Sequence, residues 1–130
     1  MLKTIILSAF ILAGTLHAGI ARAATEVPFE PKAFAAAQDA GKPILVDIWA
    51  SWCPTCAKQA PILSQLSADP AFKDLTIFKL DYDSQKEALR ALGARSQSTL
   101  IAFHGKAERG RSAGDTNAGS IKALVAQTLN

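Results

Sequence analysis

The chain has 130 residues, 49% apolar and 19% charged, with two cysteines and a formal net charge of +3. That length suits one domain, and the composition excludes a disordered chain, a collagen-like repeat and a disulfide-dense scaffold. Two cysteines are too few for a four-cysteine zinc site in a monomer, and the charge is too small to indicate a nucleic-acid partner.

Lys3 is followed by an uncharged run from Thr4 to Ala21, whose apolar centre is Ile5 to Ala13. The run ends in Ala21-Arg22-Ala23. A basic start, a short apolar core and a small-residue cleavage site together read as a secretory signal over residues 1–23. A spanning helix would need about 20 mostly apolar residues, and Ser8, Gly14, Thr15 and His17 dilute this run. Removal of the segment takes Lys3 and Arg22 and no acid, so the net charge falls from +3 to +1. Export, expected to the periplasm, also places the cysteine pair where disulfides persist. The domain is then residues 24–130.

Thr25 to Pro31 reads as a short lead-in. A helix starts at Glu30-Pro31, since proline is tolerated at the first helical position, and Gly41 stops it after Ala40. Pro43 to Ala50 is a near-continuous apolar run of strand length, which implies a strand buried on both faces. Its one charge, Asp47, is costly there. A helical pattern then runs from Pro54 to about Ala68 with Pro61 as an internal kink. Leu75 to Asp81 is a second buried strand. Ser84 is expected to cap a helix through Leu92, with Glu87 completing a capping box and Gly93 ending it. Thr99 to Phe103 is a third strand, His104-Gly105-Lys106 a turn with a surface histidine, and Ala107 to Ser112 a short strand. Thr116 or Asn117 caps a last helix with Ile121, Leu124, Val125 and Leu129 on one face. Alternating strands and helices followed by a tight turn predict a three-layer α/β domain with a mixed central sheet.

The reactive constellation is Trp49-Ala50-Ser51-Trp52-Cys53-Pro54-Thr55-Cys56. A buried strand feeding a helix puts Cys53 at the helix N-terminus. Unpaired N–H groups and the helix dipole favour a thiolate there. Cys56, one turn further in and expected to be the more buried, is close enough to close a disulfide. These positions make Cys53 the attacking nucleophile and Cys56 the resolving thiol. Pro54 removes a backbone donor, and the Thr55 hydroxyl is placed to donate to the thiolate.

With these residues, the chain resembles the thioredoxin family over nearly all of residues 31–130, and the resemblance implies a thioredoxin-like fold. It places Asp47 on the buried acid that helps move the proton of Cys56, and Lys79 on the lysine paired with that acid. Pro61 falls on the kink proline, Trp49 and Trp52 on the shielding aromatics, and Gly93 and Thr99-Leu100 on the segment facing the cysteines. One position departs. The family carries a cis-proline where Ser98 stands, directly before Thr99. A cis bond before a non-proline residue costs about 2.5–4 kcal/mol, so Gln97–Ser98 is either trans or a strained cis bond. In the family this loop pairs with the substrate backbone and helps exclude metal ions.

The expected function is exported thiol–disulfide exchange with protein substrates through Cys53 and Cys56, in the reductase or isomerase direction. Asp47 and Lys79 would serve as the proton-handling pair, and Trp52, Pro54, Thr55, Ser98 and Thr99 as the substrate-contacting surface. No histidine lies between the cysteines, which implies an intermediate redox potential. No cofactor and no resident metal are expected. The expected partners are protein thiols and disulfides and a membrane redox protein that resets the pair, with the chain a monomer. The competing reading is a binding module of the same fold that holds a peptide, or a metal through cysteines shared across a dimer, without turnover.

Overall fold

The computed structural model describes residues 19–20 and 22–130, so most of the expected signal segment lies outside the described residues. The apolar run that carries Asp47 forms a strand, β2 (Pro43–Trp49), at the centre of a five-stranded mixed sheet. Alternation along it sends Ile44, Val46 and Ile48 to one face and Leu45 and Asp47 to the other. The second apolar run, β3 (Thr76–Asp81), pairs parallel to β2 and sets Asp47 opposite Lys79. On the other side, β4 (Thr99–His104) pairs antiparallel to β2 and sets Ile48 opposite Thr99, and β5 (Ala107–Ala113) follows as an edge hairpin strand.

The opposite edge is a correction. Residues expected as a lead-in form a strand, β1 (Thr25–Pro28), parallel to β3, giving the order β1-β3-β2-β4-β5. Its only large apolar side chain is Val27, and it carries a proline. That composition has no strand signature of its own, and a proline is tolerated because the strand lies at the edge.

Helices cover both faces. Helix α1 (Pro31–Asp39) and helix α3 (Lys86–Ala91) flank the face that buries Phe29, Phe34, Val46, Phe78, Leu89 and Phe103. Helix α2 (Pro54–Ala68) and helix α4 (Ala118–Ala126) flank the face that buries Leu45, Leu63, Leu66, Leu100, Ile121 and Val125. This is the three-layer arrangement the sequence implied. Asn117, one of the two expected caps, caps α4 by accepting the Ser120 N–H at 3.0 Å.

Two local expectations fail. Helix α3 starts after Gln85, not Ser84, and no capping box forms. The Asp81 carboxylate accepts the N–H groups of Asp83 and Ser84 and turns the chain before the helix, while the Gln85 side chain accepts the Asp81 N–H and donates to the Phe29 carbonyl. His104 is not a free surface histidine. It is partly buried, with Nδ1 2.8 Å from the Thr128 carbonyl, because the C-terminal turn after α4 packs over the end of β4. The turn behind it needs glycine: Gly105 has φ +56°, and a Cβ there would stand 3.1 Å from the Gly41 Cα.

Candidate active site

The C-terminal end of β2 delivers the cysteines. Trp49 ends the strand, Ala50 to Trp52 make the turn, and Cys53 is the N-cap of α2, with Pro54 in the first helical position. Cys53 and Cys56 are joined as a disulfide with their Cα atoms 5.3 Å apart. The backbone N–H of Cys56 donates to Cys53 Sγ at 3.0 Å. The donor that reaches this sulfur is therefore a helix N-terminal amide rather than the Thr55 hydroxyl. The expected burial order is reversed. Cys53 is 4% exposed, whereas Cys56 is only partly buried. Cys53 is folded into the strand–helix turn, where its N–H donates to the Ala50 carbonyl, while Cys56 lies on the open first turn of the helix.

Under the cysteines, Asp47 is 6% exposed and shares a cleft of about 240 Å³ with Trp49, Cys53, Cys56, Ala60 and Lys79. Burial raises its pKa to about 6, against the opposing pull of the Lys79 ammonium and with a smaller push from Glu26. Lys79 Nζ lies 3.9 Å from Asp47 Oδ2, 3.8 Å from Glu26 Oε1 and 4.7 Å from the centre of the Trp49 ring. The lysine is thus partly exposed and shared between two carboxylates. Glu26 belongs to β1, the strand the sequence did not signal, so this third member was missed.

The remaining expected site residues separate into two groups. Trp52 is 55% exposed, donates from Nε1 to Asp83 Oδ2 at 2.8 Å and meets the Tyr82 ring edge-on. Pro54 is exposed and Thr55 partly buried beside it, so these three form an accessible rim. Ser98 and Thr99 are buried. The described residues contain no cis peptide bond, so Gln97–Ser98 is trans, and Ser98 takes φ +55°. Its hydroxyl donates to the Gln97 carbonyl at 2.6 Å, and the Thr99 hydroxyl donates to the Ser96 carbonyl at 2.8 Å. Both hydroxyls hold the loop's own backbone.

A second missed residue is Gln59. It is fully buried on α2, one turn beyond Cys56, in the stripe completed by Leu63 and Leu66. Its Nε2 donates to the carbonyls of Ser98 (3.2 Å) and Asp115 (2.8 Å). The available signal was a lone amide at a core-facing helical position.

A family model for thioredoxin matches residues 26–127. The chain is similar to a bifunctional thioredoxin reductase/thioredoxin of Mycobacterium leprae (strain TN), with 36% identity over 89 residues, 68% of this chain and 18% of that protein. It is similar to a thioredoxin of Mycobacterium bovis, with 45% identity over 62 residues, 48% of this chain and 53% of that protein. The chain thus spans about half or less of the length of these curated relatives. Among solved structures, Trxlp of Edwardsiella tarda EIB202 superposes with a TM-score of 0.75 at 40% identity, over 78% of this chain and 97% of that one.

Proposed function

The chain belongs to the thioredoxin family, and on that premise we propose that it is an exported thiol–disulfide oxidoreductase that acts on protein disulfides, in the reductase or isomerase direction. The observation that carries the reading is the Cys53–Cys56 pair at the N-terminus of α2, with the Cys56 N–H on Cys53 Sγ and Asp47 in the cleft below.

In the reduced form the same N–H and the helix dipole stabilise a Cys53 thiolate. The thiolate attacks one sulfur of a substrate disulfide, forms a mixed disulfide and expels the other substrate sulfur as a thiolate. Asp47, with its pKa near 6, is ionised at neutral pH and takes the Cys56 thiol proton across the shared cleft. The Cys56 thiolate then attacks Cys53 Sγ. The Cys53–Cys56 disulfide forms, the second substrate sulfur leaves, and two electrons have passed to the substrate. The exposed Trp52–Pro54 rim is where a polypeptide would dock. Lys79 holds the Asp47 carboxylate in place.

A leader cut after Ala23 suits the fold, because the Ala24 N–H already bonds the Ser67 carbonyl and β1 starts at Thr25. The chain would then work in the periplasm as a monomer, with an intermediate potential and a membrane redox protein to reset it.

The test is insulin reduction with dithiothreitol by the wild-type and Cys53→Ser proteins. The variant is expected to lose at least about 100-fold in rate. Full activity in Cys53→Ser would overturn the assignment.

A further inference from the structure

Gln59 joins three segments that the chain order keeps apart. Its carbon stem belongs to α2, the helix that starts at Cys53. Its amide nitrogen reaches Ser98 O, in the loop that leads into β4, and Asp115 O, between β5 and α4. Ser98 O also accepts the Gly114 N–H at 2.9 Å. The loop held this way ends in the one non-glycine residue with positive φ among the described residues, Ser98. A serine with φ +55° costs free energy unless its surroundings impose it. The Gln59 bond to Ser98 O is one of the contacts that impose it.

Gln59 is a poor choice for stability alone. It is 0% exposed, and its Oε1 has no hydrogen-bond partner. An unmet buried acceptor is destabilising, and a leucine would extend the stripe of Leu63 and Leu66 without it. The orientation of the amide is not arbitrary, since two carbonyl acceptors require the NH₂ end.

We propose that Gln59 is a positioning residue for protein substrates: it locks the Ser98 loop and the Asp115 loop to the redox helix, and so fixes the surface on which a disulfide-bearing polypeptide docks beside Cys53. The register of the sheet puts this loop next to the site, because Thr99 pairs with Ile48 and the chain reaches Cys53 five residues after Ile48. The role of Gln59 is separate from proton handling, which belongs to Asp47: Gln59 does not line the cleft that Asp47 shares with the two cysteines. This inference rests on the exchange activity proposed above.

The experiment compares wild-type, Gln59→Leu and Gln59→Glu proteins, using insulin and glutathione disulfide as substrates. Gln59→Leu is expected to raise KM for insulin by about five-fold with kcat little changed, which is the signature of lost substrate positioning. Its rate toward glutathione disulfide stays at the wild-type value and its Tm is unchanged or higher. Hydrogen exchange at the Gly114 amide speeds up by about ten-fold as the loop opens locally, whereas amides in β3 keep their protection. Gln59→Glu is impaired at pH 8 at least as much as Gln59→Leu, because an ionised carboxylate there faces two carbonyl oxygens. It recovers part of the insulin KM at pH 5, where the introduced carboxyl is protonated and donates one bond. An unchanged insulin KM in Gln59→Leu overturns the proposal. So does a loss shared equally by both substrates, or a fall in Tm that accounts for the loss. A wild-type protein inactive on both substrates would instead refute the exchange activity, while the Gly114 readout would still report on the clamp.

Discussion

Two sides of the candidate site, the Asp47 cleft and the Ser98 loop, are built on different physics. Below the disulfide lies a charged assembly, in which a buried carboxylate shares a lysine with a second, exposed carboxylate. At the loop before β4 lies a neutral assembly, in which one amide and two hydroxyls hold backbone carbonyls and a serine of positive φ. The charged side responds to pH, because burial has moved Asp47 into the neutral range. The neutral side has no titratable group in its bonds to Ser98; the Asp115 carboxylate beside it is held below its ordinary pKa by the Ser120 hydroxyl and the Asn117 N–H. Under the proposed function, proton transfer and docking geometry fall to separate sets of residues, and variants on each side test that separation.

The largest effect that tests this division is on the charged side. Asp47 has a folded pKa of about 6 against an ordinary 3.8. Between those values the folded state binds more protons than the unfolded state, so stability falls as pH rises from about 4 to about 6 and is level above. Asp47→Asn removes that slope, and denaturant titrations across pH should show the variant more stable by about 3 kcal/mol at pH 7. The same variant slows insulin reduction at neutral pH, because the Cys56 proton has lost its acceptor. A wild-type stability curve that is flat from pH 4 to 6 would refute the burial account.

On the neutral side, Ser98→Val puts a β-branched residue at φ +55° and removes a hydroxyl bond, and should destabilise by about 2 kcal/mol. Ser98→Gly relieves the strain and loosens the unfolded chain, so the net change is within about 1 kcal/mol of zero. Equal costs for the two variants, measured by urea unfolding, would mean that the backbone at Ser98 is not left-handed in solution.

The smallest effect sharpens the comparison from the edge of the sheet. Glu26→Gln removes one of the two carboxylates that share Lys79. The Asp47 pKa should then move down, and a carboxyl titration by NMR reads the shift directly. Stability changes only by a few tenths of a kcal/mol, as for other exposed pairs. An upward shift would show that Glu26 does not compete for the lysine.

The charged side was legible in the sequence except for Glu26. A lone acid in an apolar strand, a lysine in the next apolar strand and C-x-x-C at a strand–helix junction all depart from local pattern, and departures from pattern mark function. The same periodic signals specified the order of α1, β2, α2, β3, α3, β4, β5 and α4. The neutral side was only half legible. The serine in place of a proline before Thr99 was visible, but not its backbone conformation, because whether a serine sits at positive φ depends on the contacts around it. Gln59 carried only a weak signal, since an amide on an apolar stripe is informative once its two carbonyl partners are in place.

By itself the sequence determined which strands are buried on both faces, where the reactive pair sits, and that one charge lies within a buried strand, because these follow from residue type and spacing along one element. Tertiary structure decided the rest. A strand as weak as β1 forms only by pairing with β3, and it brings Glu26 to Lys79. The strand–helix turn buries Cys53 more deeply than Cys56. Ser98 takes a left-handed backbone, and its carbonyl is bound by Gln59 and Gly114, both distant in the chain. In each case the deciding free energy comes from a contact between segments, which no local window of sequence contains.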